Sequence, residues 1–209
     1  MPLPNRVDPF GTLFSDSARG LLMGNRGGRL HDAARALGAR RWASRQWICC
    51  KLAFNNRQRT VWGESYSELF FLDEVTALAA GHRPCFECRR QQAENFATLF
   101  SGQRTRATAA AMDAVLHAER LAGQSKRTHR RSIDDLPDGA MIARDGAGFA
   151  LRGHHLLRWS PSGYRNAQPR PRGSDAEVLT PPAILAVLAA GYRPLWHASA
   201  AGHDLSQRA

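Results

Sequence analysis

The clearest alternation of apolar and polar positions lies between Gln46 and Phe54, where Ile48, Cys50, Leu52 and Phe54 share one face at period two and predict a strand. Asn55-Asn56 supplies a turn, and Arg59-Thr60-Val61-Trp62 reads as the returning strand of a hairpin. From Ser67 the period lengthens. Leu72, Val75, Leu78 and Ala79 recur at helical spacing, and Gly81 stands where a left-handed helix stop belongs. Two more helices are predicted, Arg89 to Phe100 with Ala93, Phe96, Leu99 and Phe100 inward, and about Thr105 to Leu121. The first thirty residues read as loop, broken by Gly20, Gly24, Gly27 and Gly28, and a short helix is predicted from His31 to Leu37.

The polar, basic segment Gly123 to Arg131 reads as a linker. Beyond it the pattern is strand-like: Gly139–Ala143 and Gly148–Leu151 flank the turn signal Asp145-Gly146, and His155–Trp159 and Ala176–Thr180 follow. Thr180-Pro181-Pro182 opens a last helix, with Thr180 as its cap. The expected class is α+β: a module over 1–123, a smaller mixed sheet-and-helix domain over 132–200, and a tail at 201–209. One stretch occurs twice, as Leu78-Ala79-Ala80-Gly81-His82-Arg83-Pro84 and Leu188-Ala189-Ala190-Gly191-Tyr192-Arg193-Pro194. Either a good helix-stop sequence is used twice or a supersecondary unit is duplicated.

Composition narrows the function classes. No apolar run is long enough to span a bilayer, and Met1 to Arg6 lacks the apolar core of a signal peptide, so the expected compartment is the cytoplasm. There, four cysteines are expected reduced or metal-bound. The net charge of +11 is carried mainly by arginine, whose planar fork suits phosphate, and DNA or RNA is the partner this implies. Arg83, Arg89, Arg90, Lys126, Arg127, Arg130 and Arg131 are the candidate contacts. No phosphate-binding glycine loop, serine nucleophile elbow or dinucleotide fingerprint is present.

Cys85-Phe86-Glu87-Cys88 follows the helix stop at once. Two thiolates three positions apart can turn onto one ion, and this is half of a tetrahedral zinc site. The third ligand is expected from Cys50, with Cys49 the alternative, because neighbouring side chains on a strand point to opposite faces. For the fourth, His31 can fold back from upstream, and His82 lies close in sequence. One structural Zn²⁺ is the expected cofactor, giving a small zinc-knuckle module of hairpin plus helices.

The segment Asp73 to Arg89, with its alanine-rich helix, glycine, ring residue, Arg-Pro-Cys and Cys-Arg, resembles the second half of the zinc-binding N-terminal domain of the Ada DNA-repair protein. The likeness covers about residues 45–92, and Tyr66 to Glu74 is shared more closely with uncharacterised bacterial proteins. The resemblance implies zinc and DNA, and methyl transfer from a DNA phosphotriester to a zinc-bound cysteine. Two departures weaken the methyl-transfer part: Cys49 and Cys50 are adjacent where Ada-like domains separate their first two cysteines by three residues, and His82 replaces the usual aromatic. Three thiolates and a histidine would also be less anionic than four thiolates.

A hydrolytic alternative rests on Asp113, His117 and Glu119, with Asp113 and His117 four apart on one helix face so that the carboxylate can orient the imidazole. Arg158 to Arg165 interleaves arginine with Trp159 and Tyr164, a pattern that can stack bases but equally suits core and turn. The leading expectation is a zinc protein associated with nucleic acid. The alternatives are an enzyme, by methyl capture or by hydrolysis, and a zinc scaffold for a protein partner.

Overall fold

The structure, a computed structural model, describes residues 1–57, 60–102 and 105–203. Helices and strands mix in several sheets, which is the expected α+β class. The first sheet contains β1 (Arg6–Val7), β2 (Leu13–Phe14), β3 (Leu22–Asn25), β4 (Ile48–Lys51) and β5 (Leu69–Phe71). After α1 (Glu74–Ala79) it gains β6 (Arg83–Pro84), and its order is β2-β1-β5-β3-β4-β6. Next come α2 (Arg90–Phe100), α3 (Ala109–Arg120) and a small hairpin of β7 (Leu121–Ala122) and β8 (Ser125–Lys126). The second sheet contains β9 (His129–Ser132), β10 (Met141–Arg144), β11 (Ala147–Arg152), β12 (His155–Ser160), β13 (Gly163–Pro169) and β14 (Asp175–Val178). Its order is β13-β12-β11-β10-β14-β9, and α4 (Pro182–Ala189) follows it in the chain.

Several elements differ from the sequence expectation, each for a local reason. Leu69, Phe70 and Phe71 form an inner strand buried on both faces, so they lack the alternation that marks a half-exposed strand. The helix begins only at Asp73, whose carboxylate accepts from the Thr76 amide at 2.9 Å. His31 to Leu37 is not a helix. It is a loop closed by a single antiparallel bridge between those two residues, with Arg35 at φ 59°. Arg59, in the expected returning strand, lies outside the described residues, and Trp62 at the end of that segment turns at φ 58° rather than extending. The expected linker is the β7–β8 hairpin leading into β9. Thr180 does not cap α4: Pro181 holds that place, and the Thr180 hydroxyl accepts from the Met141 amide at 2.9 Å. The first thirty residues hold β1, β2 and β3, and β13 was not foreseen.

The hairpin turn at Asp145-Gly146 is where the sequence places it, with Arg144 paired to Ala147. The repeated helix stop also forms twice. Gly81 and Gly191 take φ 88° and 104°. In each copy the glycine amide reaches back to the leucine carbonyl (Leu78 or Leu188), and the next amide reaches the residue before it (Ala77 or Val187). The ring residues that follow, His82 and Tyr192, are both buried. Packing crosses the expected boundary between halves. Leu72, Val75 and Ala79 share a core with Met141, Ala150 and Leu157, and Leu78, Phe96 and Leu116 share another with Ile184 and Val187. Of the expected tail, residues 201–203 end a short 3-10 helix that begins at Ala198, and 204–209 lie outside the described residues. No described helix is long and apolar enough to cross a membrane.

Candidate metal centre

The centre is built by the pairing of β4 with β6. These strands run parallel, with Ile48 opposite Arg83 and Cys49 opposite Pro84, and the Cys85 amide continues the ladder to the Cys49 carbonyl at 3.0 Å. That register sets the turn after β6 beside the end of β4. The turn closes when the Arg89 amide bonds the Cys85 carbonyl at 3.0 Å. On β4, successive side chains alternate, so Cys49 and Cys50 diverge. Cys50 joins Cys85 and Cys88, and their three sulfurs all lie within 4.8 Å of one another. In a tetrahedral zinc site with Zn–S near 2.3 Å, ligand sulfurs stand about 3.8 Å apart, so a small contraction suffices.

Backbone amides already face two of the sulfurs. The Lys51 amide points to Cys88 Sγ at 3.4 Å and the Glu87 amide to Cys85 Sγ at 3.4 Å, and such dipoles favour thiolate. Hydrogen bonds from Cys50 and then Cys88 hold the Cys85 thiol far below its ordinary range, while Cys50 is pushed up by its hydrogen bonds to Cys85 and Cys88. Three sulfurs this close resist carrying three negative charges at once. A soft dication resolves that repulsion, and the donor set fits one.

Among the described residues no histidine or carboxylate completes the cluster. The fourth direction opens on a cleft of about 160 Å³ whose walls include Asn25, Lys51, Arg57, Tyr66 and Glu87. Asn25 is committed to the Gly27 amide at 2.9 Å, and Glu87 to Arg57 at 2.5 Å. Three protein ligands with an open position is the pattern of zinc sites that accept an exogenous ligand, whereas structural sites are closed by four.

The other expected ligands go elsewhere. His31 is buried against Trp62, stacked at 5.0 Å between centroids, and its ring nitrogens meet Ser67 Oγ at 2.6 Å and the Gly63 carbonyl at 2.9 Å. His82 sits between Trp47 and Phe71 and accepts from Arg26 Nε at 3.3 Å. Cys49 receives the Arg89 guanidinium at 3.1 Å, and burial pushes its thiol up to about 12 despite that cation. The Arg89 guanidinium also pairs with buried Glu74 at 2.7 Å, and Glu74 takes the Tyr192 hydroxyl at 2.7 Å and the Leu195 amide at 2.9 Å. The residue after the knuckle is thereby locked to the C-terminal half.

The hydrolytic group does not assemble. Both oxygens of Asp113 are held by Arg83, each at 2.8 Å, in a buried bidentate pair. His117 Nδ1 faces Arg120 at 3.2 Å, and Glu119 accepts the Ala183 amide at 2.9 Å at the start of α4. The candidate nucleic-acid contacts also divide. Arg83 and Arg89 are buried in ion pairs, and Lys126 turns its ammonium inward to the Ala79 carbonyl. Arg90, Arg127, Arg130 and Arg131 are exposed, with Arg90 near Glu94 at 3.6 Å and Arg130 paired to Asp175 at 3.1 Å. Trp159 and Tyr164 serve the core, bonding Thr76 and Asp73 at 3.0 and 3.2 Å.

Sequence reasoning missed Arg26 and Trp47 as partners of His82, and Tyr66, Arg57 and Asn25 as cleft walls. Nothing in their spacing signals these contacts, which the tertiary fold brings together. Comparison with protein-family models, curated proteins and solved structures finds no match to this chain.

Proposed function

We propose that this chain is a zinc protein in which Cys50, Cys85 and Cys88 hold the ion and the fourth position is exchangeable from the cleft. The observation that carries this reading is the mutual approach of the three sulfurs within 4.8 Å, on two strands whose pairing fixes them. When bound, the ion supplies a Lewis-acidic position facing the cleft. The chain's part is to hold thiolates with the Lys51 and Glu87 amides, and to keep β4 fastened to the turn before α2. Cys49 lies against Arg89 and outside the cluster, which supports a three-cysteine centre over the four-cysteine set that the Ada resemblance implies. An open three-cysteine centre is the better description. Cobalt substitution tests it. Thiolate-to-cobalt absorption with tetrahedral d–d bands is expected, and added imidazole should shift the d–d bands. A six-coordinate spectrum, or bands indifferent to every small ligand, would count against the open position.

Nucleic-acid contact is a second reading, supported by the net charge of +11 and by exposed Arg127, Arg130 and Arg131 on and beside β9, an edge strand. It requires affinity that falls steeply with salt, and replacing those three with glutamine should lower that slope.

A further inference from the structure

Away from the cysteines, the opposite end of β4 meets a cavity of about 370 Å³ whose lining includes Arg26, Arg41, Trp42, Trp47, Arg120 and Lys126. Arg26 and Arg120 are each about 1% exposed, a degree of burial arginine reaches only when paired. Both lie against one indole, with guanidinium carbons 4.0 and 3.9 Å from the Trp47 ring centroid. Lys126 is half-buried overall, but its ammonium reaches inward to the Ala79 carbonyl.

Among the described residues no carboxylate comes within 4.0 Å of these three cations. Their partners are carbonyls and imidazoles: Arg26 donates to Gly11 O at 2.8 Å, Arg41 O at 3.2 Å and His82 Nε2 at 3.3 Å, and Arg120 to Gly81 O at 2.9 Å and Arg45 O at 2.7 Å, with His117 Nδ1 at 3.2 Å. Arg120 Nε is buried with no partner at all. Asp8 acts on Arg26 and Lys126 from a distance, turned to the Thr12 amide at 2.8 Å, and Asp113 acts on Arg120 while both its oxygens are held by Arg83. Buried charge without countercharge is costly, and backbone carbonyls and imidazoles leave the net charge of the three cations unneutralised.

We propose that this cavity binds the phosphate group of a phosphorylated small molecule. Two guanidiniums and an ammonium on one cavity match a dianionic oxyanion in charge, where a carboxylate would leave two cations unmatched. The cavity has the size of a small-molecule pocket, and Arg26 lies beneath the surface, out of reach of a duplex backbone. Burial, joined by repulsion from neighbouring arginines, lowers the Lys126 ammonium to about 7 and the Arg26 and Arg120 guanidiniums to about 9, which a bound anion would reverse.

The test is calorimetric titration of the full chain at pH 6.5 with inorganic phosphate, ribose 5-phosphate and AMP, and with acetate as control. One-to-one saturable binding of at least one phosphate compound is expected, weakened about tenfold or more by Lys126→Met and less by Arg41→Gln at the exposed rim. Lys126→Met should meanwhile raise the melting temperature of the ligand-free chain, since it removes an unpaired inward charge. Equal affinity for all three compounds would identify the phosphate group itself as the ligand, and tighter AMP binding would add a contact to its base. No saturable binding by any of the three would overturn the proposal. So would equal binding of acetate, or binding that neither variant weakens.

Discussion

Cys49 and Cys50 are neighbours in the chain and belong to different chemistries. Cys50 faces Cys85 and Cys88, while Cys49 lies 3.1 Å from the Arg89 guanidinium on the other side of β4. The strand's alternation makes that separation.

Exchanging one of these sulfurs for oxygen therefore has opposite readouts. Cys49→Ser should keep metal at wild-type stoichiometry and lose stability by about 1–2 kcal/mol, because a polar group enters a packed site. Cys50→Ser should lose zinc affinity by more than about 100-fold, since it removes a ligand rather than an outer-shell partner. Competition with a chromophoric chelator measures both, and equal effects would contradict the assignment.

The Arg83–Asp113 pair is a structural device. Asp113→Ala leaves a guanidinium that is 2% exposed without its partner, and denaturant titration should show a loss of about 3–5 kcal/mol. His117→Ala, on the partly exposed side of the same helix, should cost less than about 1 kcal/mol. Comparable losses would mean that His117 has a role its contacts do not display.

The two helix stops separate backbone strain from crowding. Gly81 and Gly191 both have positive φ, so alanine at either costs about 1–2 kcal/mol. Only at Gly81 would the new methyl meet a neighbour, Arg120 Cδ at 2.6 Å, whereas the space at Gly191 is open within 4 Å. Thermal unfolding of Gly81→Ala should show the larger loss. A larger loss in Gly191→Ala would refute the packing of Arg120 against this turn.

Lys126 predicts a pH dependence with a defined sign. Burial, then Arg26 and Arg120, lower its ammonium to about 7 in the folded chain from about 10.5 when unfolded, against a raising effect of Asp8. Between those values the unfolded chain binds more protons, so ligand-free stability should rise with pH across that window and fall as pH drops towards 7. Affinity for ribose 5-phosphate or AMP, whose phosphate is already largely dianionic there, should run the other way, declining as Lys126 deprotonates above pH 7. Both slopes should shrink in Lys126→Met, which denaturant titration and calorimetry from pH 6 to 9 can follow.

Much of this was legible in the chain. The strand alternation made Cys50 the preferred third sulfur, with Cys49 the alternative, and it is Cys50 that lies with Cys85 and Cys88; Gly81 and Asp145-Gly146 marked a helix stop and a hairpin that form as read. What escaped had long-range causes. Leu69 to Phe71 looked helical because both of their faces are covered. His31 is held by Ser67 and Trp62, which sheet pairing brings to it. Lys126 read as solvated linker because nothing near it in sequence shows that the β7–β8 hairpin turns its ammonium inward. The Arg26–Trp47–Arg120 stack joins β3, the strand start before β4, and the end of α3, and no local pattern encodes it.

The most direct measurement is zinc content and zinc-edge absorption on full chain prepared with reduced thiols. About one zinc per chain, with three sulfur neighbours near 2.3 Å and one lighter neighbour, is the expected result. Chain that takes up no zinc under those conditions, or zinc with four sulfur neighbours, would contradict the open three-cysteine centre.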